Sequence, residues 1–325
     1  MSSPADWETP SGAQPKAQDY SFDLDRALSS VLGVRASVPE DAFTAGTLGT
    51  ERAGNGVVID AKGVVLTIGY LVTEAETLWL NTIDGRAVPG HVLAYDQETG
   101  FGLVQALGKL DLPALPIGES QAVRVGDKVV VAGAGGPQRA VAAQIAAKQE
   151  FAGYWEYLLD EALFTAPAHP NWGGTAVIDS SGKLIGIGSL HLQQARDNGP
   201  AEHLNMIVPI ALLGPILGDL LTLGRPNHPP RPWLGLYATE IDGKVVVAGM
   251  AANAPARRAN LKTGDIVMSV AGKDIGDLAT LYRSIWSLGA AGVEVPVTVY
   301  RDGKVLPINL RSADRASFLK KASLH

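Results

Sequence analysis

At 325 residues, with 46% hydrophobic content, 37 glycines and 20 prolines, the chain has material for two or three cores and the composition of a globular protein rich in strands and turns. A net charge of −6 with no long basic run excludes the electrostatic footprint of a nucleic-acid binder and offers an anionic membrane nothing to attract. The absence of cysteine excludes disulfides, thiolate metal sites and thiol nucleophiles together.

The opening Met1-Ser2-Ser3-Pro4-Ala5-Asp6-Trp7-Glu8 is polar and acidic, without the basic and apolar regions of a secretory signal. No run of about eighteen apolar residues follows anywhere, so no membrane span is expected. A cytoplasmic location is the expectation for a complete chain. Residues 1–19, rich in Ser, Pro, Ala and Gln, read as a disordered arm. Over 20–44 an N-terminal helical segment is expected, because Phe22, Leu24, Ala27, Leu28, Val31 and Leu32 fall at helical spacing and the pattern closes near Gly33. From Gly54-Asn55-Gly56 onward the text breaks into short apolar runs at 64–67, 77–80, 92–95 and 103–106, split by Gly, Asp and Asn. Such spacing predicts an antiparallel barrel. Gly54 and Gly56 are no dinucleotide fingerprint, since neither a third glycine nor a helix follows.

Three stretches carry chemistry by their form. Gly63-Val64-Val65-Leu66-Thr67-Ile68-Gly69-Tyr70-Leu71-Val72 is an apolar strand running into a turn. Asp96-Gln97-Glu98-Thr99-Gly100-Phe101-Gly102-Leu103-Val104 is a turn running into a strand. His169-Pro170-Asn171-Trp172-Gly173-Gly174-Thr175 is a tight Gly-Gly turn before the hairpin whose tip is Asp179-Ser180-Ser181-Gly182-Lys183. Together they resemble the HtrA (Deg) family of trypsin-like serine proteases. In the family's motifs Tyr70 stands where the catalytic histidine belongs, Gly100 where the orienting aspartate belongs, and Trp172 in the seat of the serine. Pro170 stands at the residue whose backbone N–H would form half of the oxyanion hole.

The rest of the chain extends the resemblance. Residues 115–127 are similar to the linker between the family's two barrels, Val129-Val130-Val131-Ala132-Gly133 to a strand, and Asn205-Met206-Ile207-Val208-Pro209-Ile210 to the end of the second barrel, with a helix expected over 212–223. The aromatic run Tyr154-Trp155-Glu156-Tyr157 is expected in the core or a cleft wall. A Pro-rich linker at 223–231 then leads to a stretch that resembles a PDZ domain over 232–312, and a polar tail covers 313–325. The implied fold is mainly β, with two antiparallel six-stranded, trypsin-like β-barrels over 45–222 followed by the PDZ domain. Trp233, Leu234, Gly235 and Leu236 match the carboxylate-binding loop, and Leu234 and Leu236 suggest an apolar last residue in the peptide.

These residues imply a scaffold without its chemistry. A phenol with an ordinary pKa of about 10 is a poor base, an indole has no nucleophilic oxygen, glycine has no side chain and proline no N–H. The expectation is a catalytically inactive HtrA-like pseudoprotease that binds peptides or protein C-termini in a scaffold or regulatory role. Two alternatives stay open: an active serine endopeptidase with displaced residues, and a regulatory subunit co-assembling with an active HtrA homologue. As substitute bases His91, His169 and His191 come into question, with Ser180 or Ser181 as a hydroxyl, and Asp96 as a carboxylate. The resemblance also implies trimer or hetero-oligomer contacts through Tyr20 and Phe22, and a periplasmic location if the chain is a trimmed mature form. Arg231 is placed to reach the peptide carboxylate through water. No metal ligand set and no cofactor are expected.

Overall fold

The computed structural model describes residues 8–194 and 201–320. By contact density residues 8–149, 161–194 and 201–227 form one compact unit, and residues 150–160 with 228–320 a second.

In the first unit, six strands close a barrel: β1 (Val31–Ser37), β2 (Glu51–Val58), β3 (Val64–Ile68), β4 (Thr77–Asn81), β5 (Ala87–Tyr95) and β6 (Phe101–Ala106), in the order β1-β2-β3-β6-β5-β4. Every residue of β3 is buried, and Leu66, Leu80, Phe101 and Leu103 fill the interior at 2% exposure or less. A second barrel follows: β7 (Lys128–Ala132), β8 (Ala140–Gly153), β9 (Tyr157–Ala166), β10 (Ala176–Ile178), β11 (Leu184–Gln194) and β12 (Glu202–Pro209), in the order β10-β11-β12-β9-β8-β7. Val129, Val131, Ile145, Leu163, Val177, Ile185 and Ile207 make its core. The strands alternate because one face meets that core and the other does not.

The N-terminal expectation needs two corrections. Within 20–44 the helix covers only Leu24–Ser29, capped by the Asp23 carboxylate, which accepts from Arg26 N at 3.0 Å. Val31 and Leu32 belong to β1, whose pairing with both β2 and β4 closes the barrel, so the barrel starts at Val31 rather than at 45. Residues 8–19 are not a free arm. Thr9 N donates to Gln138 O and Ala142 N to Ala13 O, both at 2.8 Å, laying the segment along the start of β8 and satisfying backbone groups on each side. Residues 1–7 lie outside the described residues. Phe22 packs on the hairpin tip at Gly182, where a Cβ would come within 2.7 Å of its ring, and the Tyr20 ring lies tilted against Phe22 at 5.4 Å. These two aromatics are thus seated on their own barrel.

The second unit is a sheet in the order β13-β14-β15-β17-β18, with β16 paired to β15: β13 (Leu236–Ile241), β14 (Lys244–Met250), β15 (Ile266–Val270), β16 (Lys273–Asp274), β17 (Glu294–Arg301) and β18 (Lys304–Arg311). Helices cover Pro255–Arg258 and Leu278–Trp286. The second is capped by Asp277, whose carboxylate accepts from Thr280 N at 2.6 Å. Leu236, Val245, Val247, Val267, Tyr282, Ile285 and Val299 form its core, and Leu158, from the 150–160 segment, is counted in the same cluster. The tail is docked as far as it is described. Trp233 and Ala313 exchange backbone hydrogen bonds at 3.0 and 2.9 Å, and Phe318 lies edge-on to Trp233 at 4.9 Å. An apolar ring in an otherwise polar tail is the physical reason. Residues 321–325 lie outside the described residues.

Candidate functional site

In the first unit the three motifs converge between the barrels. Tyr70 sits in the 3₁₀ turn Gly69–Leu71 that follows β3, and its hydroxyl donates to the carbonyl of Ser189 on β11 at 2.9 Å. The Trp172 indole N–H in turn donates to the Tyr70 oxygen. Burial of that hydroxyl pushes its pKa far above the phenolic range, and the hydrogen bond from Trp172 only partly opposes this. The group is a neutral bridge between barrels. Gly100, at φ +84°, supplies a carbonyl to Gly69 N at 2.7 Å and brings no side chain. Asp96 is a turn residue, accepting from Thr99 N at 2.9 Å and Thr99 Oγ1 at 2.6 Å.

Asn55 shapes the 170–174 loop, a role the sequence reading did not assign. Its side chain donates to Asn171 O at 2.9 Å and Gly173 O at 3.0 Å and accepts from Ala134 N at 2.9 Å, while its own N–H donates to Gly173 O at 2.8 Å. An asparagine flanked by two glycines reads as an ordinary turn, so only its burial between strands reveals the function. Pro170 is exposed and offers no donor; Asn171 N donates to His169 Nδ1 at 3.1 Å. Both amides that precede Trp172 are therefore unavailable to an oxyanion in this conformation.

The histidines are disposed differently from one another. His169 is 1% exposed, with Nε2 facing Arg139 O at 2.9 Å and its backbone N–H donating to Asn205 Oδ1 at 2.6 Å. Since Nδ1 accepts, Nε2 carries the proton, and the neutral ring is a strut rather than a base. Burial lowers its pKa to about 4 from the ordinary 6.5. The unfolded chain therefore binds a proton that the folded one refuses. Stability is complete above about pH 6.5 and falls as the pH drops toward 4, a gap worth about 3 kcal/mol. Denaturant midpoints measured from pH 7.5 to 4 should show this loss in the wild type and lose that share of it in His169→Gln.

His191 packs against Trp172 at 5.3 Å and against His203 at 5.0 Å, beside an open cleft of about 1150 Å³ lined by Tyr20, Ala168, Pro170, Glu202 and both histidines. Partial burial and the neighbouring His203 lower the His191 pKa. His91 lies on β5 opposite Gln105, and Ser180 and Ser181 belong to the hairpin tip, where Ser181 Oγ donates to Asp179 at 2.7 Å. Among the described residues no group of three His, Cys, Asp or Glu side chains could hold a metal ion, and no helix is long and apolar enough to cross a membrane.

In the second unit the loop 233–236 holds a carboxylate. The Glu156 carboxylate accepts from Leu234 N at 3.0 Å and Leu236 N at 2.7 Å. Gly235, at φ +72°, turns the loop so that its own N–H joins them. Trp233, expected among the donors, is not one; its N–H goes to Ala313. Arg231 lies 4.4 Å over the ring of Trp286. The aromatic run of 154–157 thus brings an acid to the loop, a role that composition alone conceals.

The sequence matches the trypsin-like peptidase domain over residues 54–187 and the PDZ domain over 232–311. It is 27% identical over 276 residues to the periplasmic serine endoprotease DegP of Escherichia coli K12, covering 79% of this chain and 56% of DegP. It is 26% identical over 309 residues to the serine endoprotease DegS of Salmonella typhimurium, covering 88% and 83% of the two chains. The chain thus spans little more than half the length of DegP. Among solved structures, the HtrA-type protease AlgW with a decapeptide superposes with a TM-score of 0.53 at 20% identity, over 90% of this chain and 97% of that one. A serine endoprotease from Yersinia pestis gives 0.53 at 21% identity, over 90% and 98%. With two closed six-stranded barrels followed in the chain by a PDZ domain, and relatives of these names, the chain has the domain make-up of the HtrA family.

Proposed function

We propose that this chain is a catalytically inactive member of its family, and that its activity is the binding of peptides or protein C-termini through the PDZ domain. The observation that carries the reading is the Tyr70–Trp172 pair. Where the family's base and nucleophile would meet, a phenol and an indole are paired, and the phenol donates to the Ser189 carbonyl. Neither group can take a proton from a hydroxyl and neither is a hydroxyl nucleophile of useful basicity at neutral pH. Loss of a triad member leaves roughly 10³- to 10⁴-fold acceleration over water, drawn from the oxyanion hole and binding, and a missing oxyanion donor costs roughly 10² to 10³ more. Here Tyr70, Gly100, Trp172 and Pro170 replace all four parts.

The peptide-binding half of the reading rests on the PDZ match and on the converging N–H groups of residues 234–236. A peptide adds as a strand beside β13 with its terminal carboxylate in that loop. The full chain should show no casein hydrolysis and no labelling by a fluorophosphonate probe, and should retain free-carboxylate peptides from an array while ignoring their amides. Probe labelling abolished by a single Ser→Ala change would overturn the first half. An array without a single binder, for the wild type and for Glu156→Ala, would overturn the second.

A further inference from the structure

We infer that residues 153–156 are an internal ligand of the PDZ site, and that a protein C-terminus binds only by displacing the Glu156 side chain from the carboxylate loop. The inference rests on the peptide-binding reading above and adds its regulation. Three contacts reproduce the way an extended peptide is held. The Glu156 carboxylate takes the N–H groups of Leu234 and Leu236 at 3.0 and 2.7 Å, the place of a terminal carboxylate. Two residues earlier, Tyr154 O accepts from Ala238 N of β13 at 3.0 Å, the main-chain bond of strand addition. One residue further, Gly153 O accepts from the Tyr282 hydroxyl on the helix Leu278–Trp286 at 2.7 Å. Leu158, two residues on, is 7% exposed in the same core cluster as Leu234, Leu236 and Ile285.

Glu156 reaches this position in a left-handed conformation, φ +59°, uncommon for a residue with a side chain, and is 6% exposed once there. A second contact holds the same segment. The Arg283 guanidinium bonds Glu150 at 2.5 Å and also bonds Asp160, so the two ends of 150–160 are clasped by the helix that flanks the groove. Because the ligand is tethered, its effective concentration is in the millimolar range expected of a short link. A C-terminus of micromolar intrinsic affinity therefore competes with a docked segment and shows a weakened apparent affinity, by the fraction of time that the loop is free.

The charge state of Glu156 gives this competition a direction in pH. Burial raises its pKa to about 7 from 4.5, although the amides of Leu234, Gly235 and Leu236 and the Arg315 guanidinium all act to lower it. The other titratable group at the site is Tyr282, which burial, Glu156 and Glu240 keep neutral. The docked acid thus holds a proton that the released one gives up. Docking is at full strength below about pH 4.5, weakens as the pH rises through 7, and frees the loop in that direction, by on the order of 10²-fold across the window. A peptide's own carboxylate stays ionised over most of that range, so the pH dependence belongs to Glu156.

The test uses the full chain and fluorescein-labelled nonapeptides ending in a free-carboxylate Val, Leu or Phe, with the same peptides amidated as controls. Wild type, Glu156→Ala and Glu156→Gln are compared by fluorescence anisotropy at pH 5.5, 6.5 and 7.5. The glutamine variant is the neutral isostere of the protonated acid, so it keeps the docked shape and removes the titration. Glu156→Ala should bind at least about tenfold tighter than wild type at pH 5.5, Glu156→Gln no tighter than wild type there, and both should lose the rise in affinity toward pH 7.5. Hydrogen exchange at Leu234 and Leu236 should be slow in the peptide-free wild type and in Glu156→Gln, and fast in Glu156→Ala. Equal affinities across the three proteins overturn the internal ligand while leaving the peptide-binding reading intact. Fast exchange at both amides in the wild type overturns it whatever the peptides do. Slow exchange in the wild type with no peptide bound by any protein overturns the peptide-binding reading instead, and the displacement with it.

Discussion

A chain carrying Tyr70→His, Gly100→Asp and Trp172→Ser together is expected to remain without measurable casein hydrolysis, and Pro170→Gly added to the three should raise the rate roughly 10²- to 10³-fold. The triple change restores the types of side chain but not the donors. Pro170 has no N–H, and the N–H of Asn171 is turned to His169 Nδ1 at 3.1 Å, so a developing oxyanion would face carbon where it needs a proton. The change at Gly100 carries backbone strain. Gly100 sits at φ +84°, a conformation that aspartate tolerates better than most residues, and its backbone contact to Gly69 does not involve a side chain. Removing the phenol frees the Ser189 carbonyl, and removing the indole opens the space in which a serine and an imidazole would meet. Hydrolysis by the triple variant alone would show that Pro170 does not occupy the oxyanion position. A quadruple variant no faster than the triple would place the obstacle in the loop conformation itself, where His169 claims the Asn171 amide.

An antiparallel barrel was legible because its strands are short apolar runs set off by Gly, Asp and Asn, and the second barrel and the PDZ domain through the resemblance of their motifs. β1 was hidden for a definite reason. Val31, Leu32 and Val34 continue the apolar spacing of the preceding helix, and over so few residues periods of 3.6 and 2 cannot be told apart. What decides the matter is pairing with β2 and β4, strands distant in the sequence, and pairing leaves no local trace. The same holds for residues 8–19, whose anchors are backbone hydrogen bonds to Gln138 and Ala142. At the site, Tyr70, Gly100, Trp172 and Pro170 could be placed from the motifs around them. Their consequences could not. The bridge from Tyr70 to Ser189, the four-way tie of Asn55 and the seat of Glu156 in the loop 234–236 all join positions far apart in the chain.

Gly174→Ala is expected to destabilise the first unit by roughly 4–6 kcal/mol, enough to unfold it at physiological temperature. Gly174 lies at φ +75°, where a β-carbon costs roughly 1–2 kcal/mol in backbone strain. The larger part is contact. The added carbon would stand 1.8 Å from Asn55 O and 2.6 Å from Thr67 Oγ1, both buried and neither at the end of a flexible side chain. Relief requires moving β2 away from the loop, and that movement breaks the bonds from Asn55 to Asn171 and Gly173, roughly 1 kcal/mol each. Gly126→Ala is the fitting control. It shares the positive φ, at +91°, but has open space around it and should cost only the strain. Urea melts monitored by tryptophan fluorescence distinguish the two explanations. A Gly174→Ala midpoint as mild as that of Gly126→Ala would mean that the loop bearing Trp172 is not pressed against β2, and that Asn55 does not set its shape.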